Sequence, residues 1–286
     1  MYLAHWNLRE FPFQNVADPR FAYLSDQHQE ALARLVYTVR TGKLGAVLTG
    51  PYGVGKSLLL EVLAHHTVIR ETGRFTRFDA PCDGALDLAA SVLAACGLDR
   101  RFQTPSAALA WLREAVESES PAFVPLVLAL DEAHALRNDP ASFDFLQRLL
   151  NLQPPVRPGT EARPAMTLLL CGLPELETAL EAHPSLRQRL GVGWRLEPLQ
   201  PPQVREYVAF RMRAAGGDIF AFEEESLALL AEASGGLPRV INHMCDTALL
   251  LGFASRASRV TSSLMRQAIE EVQGGPLVRP EYPRHA

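Results

Sequence analysis

The sequence predicts an α/β fold, a parallel sheet of five strands with a bundle of helices behind it, and three observations predict it. Residues 41–200 alternate short apolar runs with amphipathic stretches, the pattern of repeated strand–helix–strand units. A glycine-rich stretch, Gly50-Pro51-Tyr52-Gly53-Val54-Gly55-Lys56-Ser57, is set between an apolar run at 44–48 and a helix-like stretch at 57–65. From residue 201 the strand signals stop, and helical periodicity carries the chain to residue 273.

The predicted strands are 44–48, 75–79, 126–130, 167–171 and 194–197, and the helices between them are near 58–69, 85–96, 105–118, 141–152 and 174–182. Thr104 before Pro105 has the composition of an N-cap with proline at the first helical position. Phe143, Leu146, Leu149 and Leu150 share a helix face and are expected to pack on the sheet. Four more helices follow, at 202–215, 222–233, 238–253 and 261–272, with Gly216-Gly217 and Gly235-Gly236 ending the first two. The predicted organisation is a lead segment and helix at 1–40, an α/β core at 41–200, a helical lid at 201–273 and a Pro- and Arg-rich flexible tail at 274–286.

Two motifs carry chemistry. Glycine, four residues, then Gly-Lys-Ser is the phosphate-binding P-loop pattern. Its glycines let the backbone curl so that successive N–H groups point at phosphates, and the helix that follows offers its positive end to the same anion. The expected phosphate contacts run from Gly50 through Pro51, Tyr52, Gly53, Val54, Gly55, Lys56 and Ser57 to Leu58, with Lys56 reaching the β- and γ-phosphates and Ser57 holding Mg²⁺. The second motif is Val127-Leu128-Ala129-Leu130-Asp131-Glu132, an unbroken apolar run ending in two acids, as expected of a parallel strand covered on both faces. The acids fall where open α/β sheets place ligands, and the spacing is expected to bring this third strand beside the first. Asp131 is expected to bind Mg²⁺ through water, and Glu132 to polarise the attacking water. The string Asp131-Glu132-Ala133-His134 also occurs in one helicase group, but a helicase needs a second domain of the same kind, for which the chain is too short.

Composition bounds the rest. Apolar residues make up 48% and charged residues 21%, ordinary for a globular protein. No apolar run reaches the roughly 18–20 residues of a membrane span, and the N-terminus lacks a secretory pattern, so a cytoplasmic protein without membrane insertion is expected. Cys82, Cys96, Cys171 and Cys245 are far apart, which favours buried thiols over disulfides or metal ligands. A net charge of −4 is not the footprint of a protein coated in phosphate contacts. Lys43 and Lys56 are the only lysines; every other basic side chain apart from histidine is arginine. The loop at 153–164, with four prolines and with Arg157 and Arg163, reads as an exposed connector, with contact to a partner or to nucleic acid as the alternative.

The P-loop, the Asp-Glu pair on a third strand and the helical lid together resemble an AAA+ ATPase, a RecA-like P-loop NTPase. Further segments resemble the ExeA/general secretion pathway protein A family: Phe11-Pro12-Phe13, Asp18-Pro19-Arg20-Phe21, Gln27-His28-Gln29-Glu30-Ala31-Leu32, Cys171-Gly172-Leu173-Pro174-Glu175-Leu176, Leu186-Arg187-Gln188-Arg189-Leu190 and Gly235-Gly236-Leu237-Pro238-Arg239-Val240-Ile241-Asn242. The resemblance spans residues 1–273 and implies Mg-ATP hydrolysis by an oligomeric switch or remodeller, with Walker A and Walker B motifs at the P-loop and at Asp131-Glu132. It implies a sensor-2 role for Arg239 and an arginine finger, supplied to a neighbouring subunit of a homo-oligomer, in the region of Arg187 and Arg189, with Arg195 as a further candidate. Adenine rests on the resemblance, since no guanine-specific Asn-Lys-x-Asp stretch is present. The family pattern departs at Leu173, where a polar residue usually orients the attacking water; His134 and Thr167 are the substitutes considered. Full-length secretion proteins of this kind continue into a membrane helix and a peptidoglycan-binding module. This chain carries neither, so an unidentified protein partner is expected. Two alternatives stand beside the hydrolase: an ATP-binding scaffold with little turnover, and a DNA-associated ATPase of the transposition-regulator type.

Overall fold

The computed structural model describes residues 2–80, 83–98, 100–118, 126–155 and 163–274. Backbone contacts divide the chain into two units. An α/β unit comprises Asp26–Pro51 and Lys56–Glu197, and a helical unit comprises Met1–Ser25, Tyr52–Gly55 and Pro198–Ala286. The N-terminal lead thus divides at Ser25: the residues before it cluster with the C-terminal helices, while the helix after it belongs with the sheet.

The α/β unit opens with α1 (Asp26–Arg40), β1 (Gly45–Thr49), α2 (Lys56–Ala64), α3 (Thr67–Thr72) and β2 (Arg74–Asp79). It continues through α4 (Ala85–Ala95), α5 (Pro105–Glu117), β3 (Leu126–Asp131), α6 (Pro140–Leu149) and β4 (Met166–Gly172), and closes with α7 (Glu175–Glu181), α8 (Pro184–Arg189) and β5 (Val192–Arg195). All strands are parallel, in the order β2-β3-β4-β1-β5. The expectation that the third strand lies beside the first is therefore corrected. β4 stands between them, paired to β3 from Leu126↔Met166 and to β1 from Gly45↔Leu168.

The central strands explain the sequence pattern. Every residue of β3 and of β4 is buried, so neither strand has a solvent face on which polar residues could alternate. On one side, Leu128, Leu130, Leu168 and Leu170 share an apolar cluster with Leu88, Leu112, Phe143 and Leu146. Each side chain of that size contributes about 1.5–3 kcal/mol on burial. The expected face of α6 is there: Phe143, Leu146, Leu149 and, at its C-cap, Leu150 are all buried in this cluster.

Local signals set the helix ends. Thr104 Oγ1 accepts the Ala107 N–H at 3.2 Å, with Pro105 at the first helical position. The single helix expected over 58–69 is two, because His66 adopts an extended conformation and its Nδ1 caps α3 by accepting the Val68 N–H at 3.1 Å. α8 was not foreseen, although Pro184 at its start is a helix-opening signal.

The helical unit contains α9 (Pro201–Ala214), α10 (Glu224–Ser234), α11 (Pro238–Ala254) and α12 (Ser262–Gly274). Tyr2, Trp6, Leu8, Phe13 and Phe21 of the lead are buried in one apolar cluster with Val208, Met212, Ile241, Met244 and Leu249. Arg211, only 3% exposed, donates to the carbonyls of Pro12 at 2.5 Å, Gln14 at 2.8 Å and Phe21 at 3.4 Å. Asn242 on α11 donates to Asn15 at 2.8 Å and accepts from Tyr207 at 2.8 Å. The lead is thereby an integral part of this unit. Gly274, expected to open the tail, is the last residue of α12, while the rest of the expected tail and most of the 153–164 loop, Arg157 included, lie outside the described residues.

Candidate nucleotide site

In the α/β unit, β1 ends at Thr49 and α2 begins at Lys56. Leu59, Leu60 and Leu63 of α2 are fully buried, and the helix packs on α1, β2 and β4. Lys56 is 6% exposed, and its Nζ donates to the carbonyls of Gly50 at 2.8 Å and Pro51 at 2.9 Å. The ammonium is thus held at the C-terminal edge of the sheet, over the turn that follows β1.

Ser57 Oγ donates to Asp131 Oδ2 at 2.7 Å. Asp131, at the end of β3 and 1% exposed, also pairs with Arg77 Nη2 at 2.8 Å and accepts the Glu132 N–H at 3.0 Å. A buried carboxylate needs such partners, since an unpaired one costs several kcal/mol. Beside it, burial first and then the Asp131 carboxylate push the Cys171 thiol well above its ordinary range, leaving it a poor nucleophile. Cys96 and Cys245 are buried free thiols as well, and Cys82 lies outside the described residues.

Glu132 turns the chain off the strand with φ 51 and ψ 29, a left-handed conformation that costs a non-glycine residue about 1–2 kcal/mol. Such strain gathers at functional sites. Its carboxylate is partly exposed, and Oε2 stands 3.4 Å from Nδ1 of the buried His134. The Leu173 N–H also points at His134 Nδ1, at 3.4 Å.

The middle of the P-loop, Tyr52–Gly55, clusters with the helical unit. Gly53 has φ +75, and a Cβ there would meet the Arg239 Cβ at 2.6 Å, so only glycine fits. Arg239, in the first turn of α11, donates its backbone N–H to the Gly53 carbonyl at 3.2 Å. Val54 is fully buried and Tyr52 is exposed.

The three finger candidates are engaged elsewhere. Arg195, at the end of β5, pairs through Nε and Nη2 with both carboxylate oxygens of Glu177. Thr49 donates to the same carboxylate. Burial works to raise the Glu177 pKa, but the bonds from Arg195 and Thr49 outweigh it and hold the carboxyl below its ordinary range. Arg189 donates to Asn151 Oδ1 at 3.1 Å and to the Ser185 carbonyl at 2.7 Å. Arg187 stands 3.5 Å from Glu181, with both side chains 61% exposed. Thr167 is removed as a substitute for the missing polar residue at Leu173. It lies at the start of β4, bonded to the Lys43 carbonyl, and the remaining length of the strand, at about 3.3 Å per residue, separates it from the site edge at Gly172.

Sequence reasoning missed Arg77 and Glu177. A basic residue inside a predicted strand was the available signal for Arg77. For Glu177 the sequence holds none, because its partners are 128 and 18 residues away.

An α/β unit of this strand order, with these side chains at its edge, defines the P-loop class of AAA+ ATPases. Comparison with known proteins agrees. An AAA domain description matches residues 39–180. General secretion pathway protein A of Aeromonas hydrophila is 31% identical over 284 residues, covering 96% of this chain and 49% of that protein. The chain thus spans about half the length of that relative. Among solved structures, the Aeropyrum pernix ORC2 protein in its ADP form matches with a TM-score of 0.67 at 17% identity, over 95% of this chain and 74% of that one. The Aeropyrum pernix ORC1 protein in complex with DNA matches at 0.67 and 18%, over 93% and 69%. The RuvB Holliday junction branch migration motor of Thermotoga maritima matches at 0.59 and 17%, over 92% and 74%. At such identities these structures speak for the fold alone. The chain thus carries an AAA domain at residues 39–180 and is similar along nearly its whole length to a general secretion pathway protein A. None of its described helices is long and apolar enough to cross a membrane.

Proposed function

We propose that the chain binds ATP with Mg²⁺, hydrolyses it, and works as a homo-oligomeric switch or remodeller in the cytoplasm. The observation that carries the reading is the convergence of Lys56, Ser57, Asp131 and Glu132 at one edge of the α/β unit. Lys56 serves as the cation for the β- and γ-phosphates. Ser57 and Asp131 fit Mg²⁺ by the chemistry of their donors. They are two hard oxygens 2.7 Å apart, and Mg²⁺ in such sites takes its remaining ligands from phosphate and water. When bound, Mg²⁺ neutralises charge on the phosphates. Glu132, exposed at the rim, takes a proton from the attacking water.

In this reading Arg239 senses the γ-phosphate. Its bond to Gly53 ties the first turn of α11 to the P-loop, which supports a lid that responds to nucleotide. Arg189 or Arg187 supplies the finger in trans. Arg195 is the weaker candidate, because moving it to a phosphate would break a bidentate pair.

A second reading is favoured by Leu173, whose side chain can orient no water: an ATP-gated scaffold that assembles and turns over slowly. Rate against protein concentration separates the two. A site completed between subunits gives a specific rate that climbs with concentration, while a scaffold binds ATP tightly and its slow turnover does not rise with concentration. Duplex DNA added to the same series tests the DNA-associated alternative, for which stimulation must weaken as salt rises.

A further inference from the structure

We propose that His134 is the positioning residue for Glu132, holding through its Nδ1 the carboxylate oxygen that does not meet the water. The inference rests on the hydrolysis reading above and deepens it.

A carboxylate acting as general base uses one oxygen. The other needs a donor, or the group swings away from its water. Glu132 needs that help, because its side chain is 41% exposed and its backbone leaves the strand in a left-handed turn. Leu173 offers no donor from its side chain. His134 Nδ1 is 3.4 Å from Glu132 Oε2, and the ring is 9% exposed.

The ring is held from the other side as well. At the end of β4, a Cβ on Gly172 would come within 3.0 Å of the His134 backbone nitrogen and 3.4 Å of Nδ1, so the glycine lets the strand approach the imidazole closely. The Leu173 N–H lies 3.4 Å from the same Nδ1. One nitrogen carries either a lone pair or a proton, so Nδ1 either accepts from Leu173 or donates to Glu132, never both. The imidazole therefore has two settings. In one it is tethered to the end of β4 and Glu132 is loose; in the other it grips Glu132. The end of β4 is thereby connected to the base through a single atom, although Leu173 itself carries no polar side chain.

The test is a double-mutant cycle on turnover, with ATP affinity measured beside it. His134→Ala is expected to lower kcat about 10- to 100-fold, the loss that misplacing a reacting group brings, and to leave the ATP Kd unchanged. His134→Asn, whose amide nitrogen stands near the Nδ1 position, is expected to recover part of the rate. Glu132→Asp withdraws the carboxylate from the ring, so adding His134→Ala to it is expected to cost nothing more. Losses that multiply in the double variant, or ATP affinity that falls with kcat, would overturn the inference while leaving Glu132 as the base. A parent chain that binds ATP and never turns it over removes the hydrolysis reading and this inference together.

Discussion

The two units of the molecule are built by different means. The α/β unit is held by parallel ladders and by a sheet whose central strands are wholly buried, and the buried face of α6 is one that a periodicity argument anticipates. The helical unit joins the first 25 residues to those after 197, and polar side chains stitch the two stretches together: Arg211 to three carbonyls, Asn242 to Asn15, the Trp6 indole N–H to the Leu249 carbonyl at 2.9 Å. The proposed chemistry sits on the first kind of construction, where the buried end of β3 fixes Asp131 and Glu132 follows it off the strand. The second kind depends on a few buried polar groups, each costly to leave unpaired.

That contrast can be broken in graded steps. Lys56→Ala should be the most severe for function, abolishing ATP binding as read by equilibrium titration, while unfolding of the protein is little changed. For stability, Phe143→Ala should cost about 3–5 kcal/mol through a cavity against the sheet. A Trp6→Phe variant, which keeps Trp111 and Trp194 as reporters of the α/β unit, checks this by urea unfolding.

Arg211→Ala should cost about 2–4 kcal/mol, since it strands the buried carbonyls of Pro12 and Phe21, which each lose a charged donor. Here Trp6, left as the sole tryptophan by Trp111→Phe and Trp194→Phe, reports the helical unit. Equal loss in the α/β reporter would mean that the two constructions are not separate. Arg211 has its pKa lowered by burial, yet remains a cation at any working pH, so this contribution should be flat across the neutral range.

A smaller effect is expected at Glu177. Its lowered pKa means that it adds stability above its ordinary value of 4.5, and that this is lost as pH falls through the lower folded value. Acid unfolding of Glu177→Gln should therefore show a flatter limb below pH 4.5 than the parent. The smallest effect is Thr104→Ala, about 1 kcal/mol from a lost helix cap.

The sequence made the α/β unit legible in proportion to how local its signals are. The P-loop is contiguous, and Asp131-Glu132 ends an apolar run that can only be a covered strand. The order of the strands was not legible, because whether β4 slips between β3 and β1 is decided by packing across the whole sheet. Nor was the break at His66, where one imidazole competes with the helix for the Val68 N–H. In the helical unit the four helices were readable, but the place of Phe13 and Phe21 was not. Their partners lie nearly two hundred residues away, and a lone aromatic in a Pro-containing lead has no periodicity to show its face. Arg211 looked like any charged residue on a helix.

The central claim is that Glu132 acts on water while Lys56, Ser57 and Asp131 hold the nucleotide. ATP binding and single-turnover hydrolysis by Glu132→Gln test it most directly. The account predicts ATP affinity like that of the parent, with the hydrolysis rate reduced by about 10²–10⁴-fold, the loss of a general base. Turnover at the parent rate, or loss of ATP binding along with it, would contradict the account.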